Sequence, residues 1–192
     1  MHQYLGKLII HTGSMFSGKT SSLERDIKRF RIANYKCTVF KPNVDTRFVN
    51  NKVKTHDNTE LDAISVKNIG EILDFIKDHP MDVVGIDEVQ FLQNTACEVK
   101  EGIMTMLRDK VTVVVAGLDM DFSAEPFEIV KELMPVCDYL NKHHAVCTKC
   151  GQDAWVSHRK TESKERFVLG ALNEYEPLCR SCYNKTIEEE KI

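Results

Sequence analysis

Two glycines, a lysine and a hydroxyl are spaced for phosphate chemistry in Gly13-Ser14-Met15-Phe16-Ser17-Gly18-Lys19-Thr20. The pattern is G-x-x-x-x-G-K-T, set between the apolar run Leu8-Ile9-Ile10 and a stretch of helical periodicity, the context that a phosphate-binding P-loop requires. Gly13 and Gly18 open backbone conformations closed to other residues. Successive N–H groups from Ser14 to Thr20 can then curl around a polyphosphate at a helix N-terminus. Lys19 offers a cation to the β- and γ-phosphates, and the Thr20 hydroxyl a ligand to Mg²⁺.

A second group of acids fits the same chemistry. Val83-Val84-Gly85-Ile86 is an apolar strand that ends in Asp87-Glu88. Beside a P-loop, Asp87 is placed to hold Mg²⁺ and Glu88 to accept a proton from an attacking oxygen. A carboxylate activates water as readily as a substrate hydroxyl, so the pair implies phosphoryl transfer from ATP without choosing the acceptor. Between the two motifs, Lys41-Pro42 leads into Asp45-Thr46-Arg47 and, further on, Thr55-His56-Asp57. Arg47 is either a charge-neutralising arginine or a surface partner of Asp45, and His56 is equally ambiguous. Gly117-Leu118-Asp119-Met120-Asp121-Phe122 and Pro126-Phe127 follow a long apolar strand, where open α/β sheets bind ligands. With Phe91 they offer three phenylalanines either to a flat aromatic ligand or to the core.

Cys147-x-x-Cys150 and Cys179-x-x-Cys182 stand 28 residues apart (151–178). Four thiolates so paired suit a closed, structural Zn²⁺ site. An iron–sulfur cluster would accept the same ligands, but no redox-cofactor motif accompanies them. Such a site scaffolds, and it can pin the segment from Glu165 to Leu178 as a lid. Cys37, Cys97 and Cys137 lack metal spacing and are expected to be buried thiols.

The elements that carry these residues alternate. Strands are expected at Lys7 to Thr12, Cys37 to Lys41, Asp82 to Ile86 and Val111 to Leu118, and helices at Lys19 to Asn34, Ile69 to Asp78 and Thr95 to Leu107. Asn43 to Glu60 reads as a long loop. Alternating strands and helices imply a doubly wound α/β sheet. From about His143 helical periodicity disappears, which divides the 192 residues into a nucleotide-binding domain (1–141) and a cysteine-bearing domain (142–192). The net charge of −3, without a basic stripe, gives no sign of a nucleic-acid or membrane partner, and Glu188-Glu189-Glu190 reads as a solvated terminus. No span-length apolar stretch or signal-peptide core appears, so a soluble cytoplasmic protein is expected.

Taken in order, these blocks resemble the thymidine kinases of the small, zinc-containing type II family over nearly the whole chain. The resemblance implies a P-loop NTPase-like parallel sheet with a small C-terminal zinc ribbon that carries a lasso loop. It implies transfer of the ATP γ-phosphoryl to the 5′-hydroxyl of thymidine, giving dTMP for salvage, with Glu88 as base. Asp45 and Arg47 would assist at the phosphate and Mg²⁺ end. Met15, Phe91, Leu118, Phe122 and Phe127 would surround base and sugar, with Val168, Gly170 and Tyr175 from the lasso. Ser157 stands where the family often has Thr near the thymine 5-methyl, a change that would admit deoxyuridine or bulkier analogues. Ser14 replaces a common Pro at a position that contributes backbone. A homotetramer inhibited by dTTP is also implied. The rival readings are a kinase of another deoxynucleoside, and a P-loop ATPase whose zinc knuckle grips a macromolecule.

Overall fold

A computed structural model of the chain describes residues 5–43, 52–54, 60–160 and 174–189. Asp45, Arg47, Thr55, His56, Asp57, Val168 and Gly170 lie outside the described residues.

Among the described residues, nine strands and five α-helices follow in chain order: β1 (Leu8–Gly13), α1 (Lys19–Ile32), β2 (Cys37–Pro42), β3 (Lys52–Lys54), β4 (Glu60–Val66), α2 (Ile69–Asp78), β5 (Val83–Ile86), α3 (Ala96–Arg108), β6 (Thr112–Leu118), α4 (Glu128–Leu133), β7 (Tyr139–His143), β8 (Val156–Arg159), β9 (Tyr175–Leu178) and α5 (Arg180–Glu189). Seven strands form one sheet in the order β3-β4-β2-β5-β6-β1-β7, parallel throughout except where β3 pairs antiparallel with β4. Parallel neighbours need crossovers, and the helices supply them.

Why the central strands read as continuous apolar runs is plain from their two faces. Ile9, Val39, Val83, Val114 and Ala116 pack beneath Leu23, Ile27 and Phe30 of α1. Their alternates Leu8, Ile10, Phe40, Val84, Ile86, Val113 and Val115 meet Ile72 of α2, Val99, Ile103 and Met106 of α3, and Val130 and Leu133 of α4. Side chains alternate across a strand, so a sheet covered on both faces needs apolar residues at every position. Each fully buried Leu, Ile or Met in these layers contributes about 1.5–3 kcal/mol. The helices begin where chemistry allows: Asn68 caps α2 by accepting from Glu71 N, and Thr95 and Glu98 form a reciprocal capping box on α3.

The long loop expected from Asn43 to Glu60 is interrupted by β3, and β4 joins the sheet beside β2 from Glu60 onward. A three-residue edge strand is too short to display a period. β4 buries Ala63 on the α1 side and Val66 on the other. β7 pairs with β1 through the Gly13–His143 register, so the main sheet runs two residues past Asn141. The cysteine-bearing unit does contain a helix, α5, which buries only Tyr183 and Thr186 and so shows little apolar periodicity. Of the three isolated cysteines, Cys97 is exposed on the outer side of the first turn of α3, not buried, while Cys37 and Cys137 are half-buried.

Candidate active site

The P-loop joins β1 to α1. Gly18 precedes the helix in the left-handed region (φ 79°), and no side chain caps α1. Its first amides are therefore left for an anion, in contrast to the capped α2 and α3. Gly13 (φ 133°) is needed on two counts, since a Cβ there would also overlap His143 O. Lys19 is buried and folds back so that Nζ donates to Ser14 O at 2.6 Å. Burial draws its pKa below the ordinary lysine value, against the pull of Glu88, Asp87 and Asp119. The Ser17 hydroxyl donates to the same carbonyl at 2.8 Å. Phe16, also at positive φ (63°), packs its ring on the apolar cluster of the cysteine-bearing unit. Beneath the loop, His11 lies 3.0 Å from both His143 and Asp26.

β5 ends beside this loop. The Thr20 hydroxyl donates to Asp87 Oδ1 at 3.0 Å. Burial first, and then the neighbouring Glu88 carboxylate, push the Asp87 carboxyl up to about 7, while Lys41 and Thr20 oppose the shift. A dehydrated carboxylate and a hydroxyl side by side are hard oxygen donors short of positive charge, a set that fits Mg²⁺. Glu88 adopts φ 51°, left-handed for a residue with a side chain, at the entry to a 3₁₀ turn over Val89–Phe91. Its Oε2 accepts from Gln90 Nε2 at 2.6 Å.

A cleft open to solvent is lined by Met15, Leu118, Met120, Asp121, Phe122, Phe127, Ser157 and Tyr175. It thus brings together residues from the P-loop, the end of β6 and the β8–β9 hairpin. Phe91 stands behind the wall, edge-on to Phe127 with ring centroids 6.1 Å apart. Two contacts weld the hairpin to the main body. Met15 N donates to Ser157 Oγ at 2.7 Å. The Arg159 guanidinium lies 3.8 Å from the Phe122 ring centroid and donates to Tyr175 Oη at 3.1 Å. Arg159, a charged residue between the two cysteine pairs, is only 4 % exposed. Its separation from Ser157 by two strand positions, which puts both on one face, was the available signal. Met120 and Asp121, within the stretch after β6 that the sequence marks for ligand binding, also line the cleft, although spacing gives neither an individual role. Gln90 lies in the Asp87–Phe91 block that contributes to the family resemblance, but the spacing assigns it no role.

Behind the hairpin, the Sγ atoms of Cys147, Cys150, Cys179 and Cys182 all lie within 4.8 Å of one another, with Cys150 and Cys179 at 3.5 Å. Tetrahedral Zn–S bonds of ~2.3 Å imply S···S edges near ~3.8 Å. The four thiols fit a zinc ion, and all four positions are filled by protein. Ala145, Ala154, Val156, Leu178 and Tyr183 form the small core around it, too small to hold the unit together unaided.

A parallel sheet with an uncapped glycine loop at the end of one strand and a buried acid at the end of another defines a P-loop protein of the phosphoryl-transfer class. The flagellar accessory protein FlaH from Methanocaldococcus jannaschii shares the fold, with a TM-score of 0.55 at 14 % identity over 78 % of this chain and 75 % of that one. Sequence narrows the class. The thymidine kinase family model matches residues 6–183. The chain is 39 % identical over 186 residues to a thymidine kinase from Bacteroides fragilis, covering 97 % of this chain and 91 % of the relative. It is 42 % identical over 181 residues to one from Porphyromonas gingivalis (94 % and 86 % covered) and 40 % identical over 179 residues to one from a Rhodothermus species (93 % and 82 %). The chain belongs to the thymidine kinase family. Among the described residues, no helix is long and apolar enough to cross a membrane.

Proposed function

We propose that the chain catalyses transfer of the γ-phosphoryl group of ATP to the 5′-hydroxyl of thymidine, and of deoxyuridine, giving the nucleoside monophosphate for salvage. The observation that carries this reading is Met15, which belongs to the phosphate loop and also lines the aromatic cleft. A phosphate donor and a flat acceptor bound there would be neighbours. The backbone amides of residues 14–20 and Lys19 hold the ATP phosphates. Thr20 and Asp87 would hold Mg²⁺, which when bound neutralises charge on the β- and γ-phosphates.

Glu88 accepts the proton of the 5′-hydroxyl as that oxygen bonds to the γ-phosphorus, and the bond from phosphorus to the β–γ bridging oxygen breaks to release ADP. Asp45 and Arg47 are assigned to the phosphate end, and Val168, Gly170 and Tyr175 to the lid over the base, on the family resemblance. Cys147, Cys150, Cys179 and Cys182 would hold Zn²⁺, fixing the β8–β9 hairpin that walls the cleft. Enclosure excludes water, which would otherwise take the phosphoryl group. A homotetramer with dTTP as feedback ligand completes the proposal.

The test is ADP release from ATP–Mg²⁺ with thymidine, deoxyuridine, deoxycytidine, deoxyguanosine or no nucleoside. Turnover confined to thymidine and deoxyuridine is expected. Another preferred nucleoside would reassign the acceptor. Equal turnover without nucleoside would make the protein an ATPase.

A further inference from the structure

Gln90 is buried, 7 % exposed, and its amide is engaged at both ends. Its Oε1 accepts from Leu118 N at 3.1 Å, and its Nε2 donates to Glu88 Oε2 at 2.6 Å. The orientation of this amide is dictated by its partners. A backbone N–H can only donate, so the oxygen must face Leu118, and the NH₂ must then face Glu88. Room for the oxygen is made by Gly117, where a Cβ would come within 2.7 Å of Gln90 Oε1 and 2.8 Å of Val89 Cγ1. Leu118, at the other end of the bridge, lines the cleft.

From this bridge we infer that Gln90 is a positioning residue for the phosphoryl transfer, setting the rotamer of Glu88 and tying it to the cleft wall at Leu118. The inference rests on the assignment of Glu88 as base. Three physical effects support it. A buried N–H donated to a carboxylate oxygen is charge-assisted and stronger than a neutral hydrogen bond, so it holds the carboxylate in one orientation. Glu88 sits in a left-handed conformation that a side chain adopts only under constraint, and the bridge is one such constraint. The amide also links Glu88 to a neighbour 30 residues away, at the end of the adjacent strand β6, so the base is registered against the substrate wall rather than against its own loop.

The experiment measures kcat, the KM values for thymidine and ATP, and thermal stability. The variants are Gln90→Met, Gly117→Ala, Glu88→Gln and the double variant Glu88→Gln with Gln90→Met. Gln90→Met keeps the volume and removes both hydrogen bonds. Gly117→Ala leaves the amide in the chain but pushes it from its place. Both are expected to lower kcat by roughly 10- to 100-fold, the scale of a misplaced catalytic group. KM for both substrates should change little, so that the loss falls on kcat. In the double variant the Gln90 effect should vanish, because it acts through Glu88.

Wild-type kcat in both Gln90→Met and Gly117→Ala overturns the inference. So does an additive loss in the double variant, or a loss confined to KM and thermal stability. Near-normal turnover in Glu88→Gln removes the base assignment itself, an outcome distinct from the failure of Gln90 alone.

Discussion

Ser157→Thr tests how the hairpin shapes acceptor choice. Ser157 is buried at the cleft wall on β8, and its hydroxyl accepts from Met15 N at 2.7 Å. Thr suits a strand and keeps that acceptor, so the join between hairpin and P-loop survives. What it adds is one methyl group beside a wall formed by Met15, Leu118, Phe122 and Phe127. One methyl buried against a ligand methyl is worth about 0.8 kcal/mol, which is roughly a fourfold gain in kcat/KM for thymidine over deoxyuridine. The same methyl occupies space that a bulky 5-substituent would use, so such analogues should lose turnover. The assay is kcat/KM for thymidine, deoxyuridine and one bulky 5-substituted analogue, compared across wild type, Ser157→Thr and Ser157→Ala. The alanine variant removes the acceptor for Met15 N, at a cost of about 0.5–1.5 kcal/mol, and should weaken all three substrates alike. An unchanged thymidine-to-deoxyuridine ratio in Ser157→Thr would refute the placement of Ser157 at the 5-position.

Removing zinc, verified by metal analysis, should raise the thymidine KM about tenfold or more, since losing even ~1.4 kcal/mol of hairpin contact costs that factor; an unchanged KM would contradict a lid pinned by the four cysteines. Thiol labelling of the zinc-loaded protein should modify exposed Cys97 first and Cys37 slowly, because burial pushes the Cys37 thiol up to about 11; the reverse order would refute both placements. Asp26 tests the base of the P-loop by pH. Burial raises its carboxyl, but His11, Arg25 and Arg29 outweigh this and hold it below the ordinary 3.8. Its folded pKa is depressed, so its stabilisation is complete above the unfolded value and is lost as pH falls through the folded one. Asp26→Asn should therefore flatten the fall in Tm below about pH 4; an unchanged acid limb would rule out that contribution.

The chemistry-bearing stretches were legible because each is written within a few residues. G-x-x-x-x-G-K-T positions its own amides and lysine by local backbone geometry, an apolar run ending in Asp87-Glu88 is a strand end, and each C-x-x-C is one knuckle. Alternating strands and helices gave the α/β class for the same reason, since periods of two and 3.6 are local properties. The helix α5 and strand β3 escaped because they are short or packed on so small a core that few apolar positions mark them, and β4 because its buried residues, Ala63 and Val66, stand beside polar neighbours rather than in an unbroken apolar run.

What no local pattern states is which distant segments meet. Ser157 reaches Met15 across 142 residues and Lys142 lies 2.8 Å from Asp119. Arg159 leaves the surface to stack on Phe122, and Gln90 finds Leu118 on a neighbouring strand. Strand order and the docking of the hairpin made those pairs. Local spacing fixed which groups the protein carries; the packing of the sheet and hairpin decided which of them share the cleft.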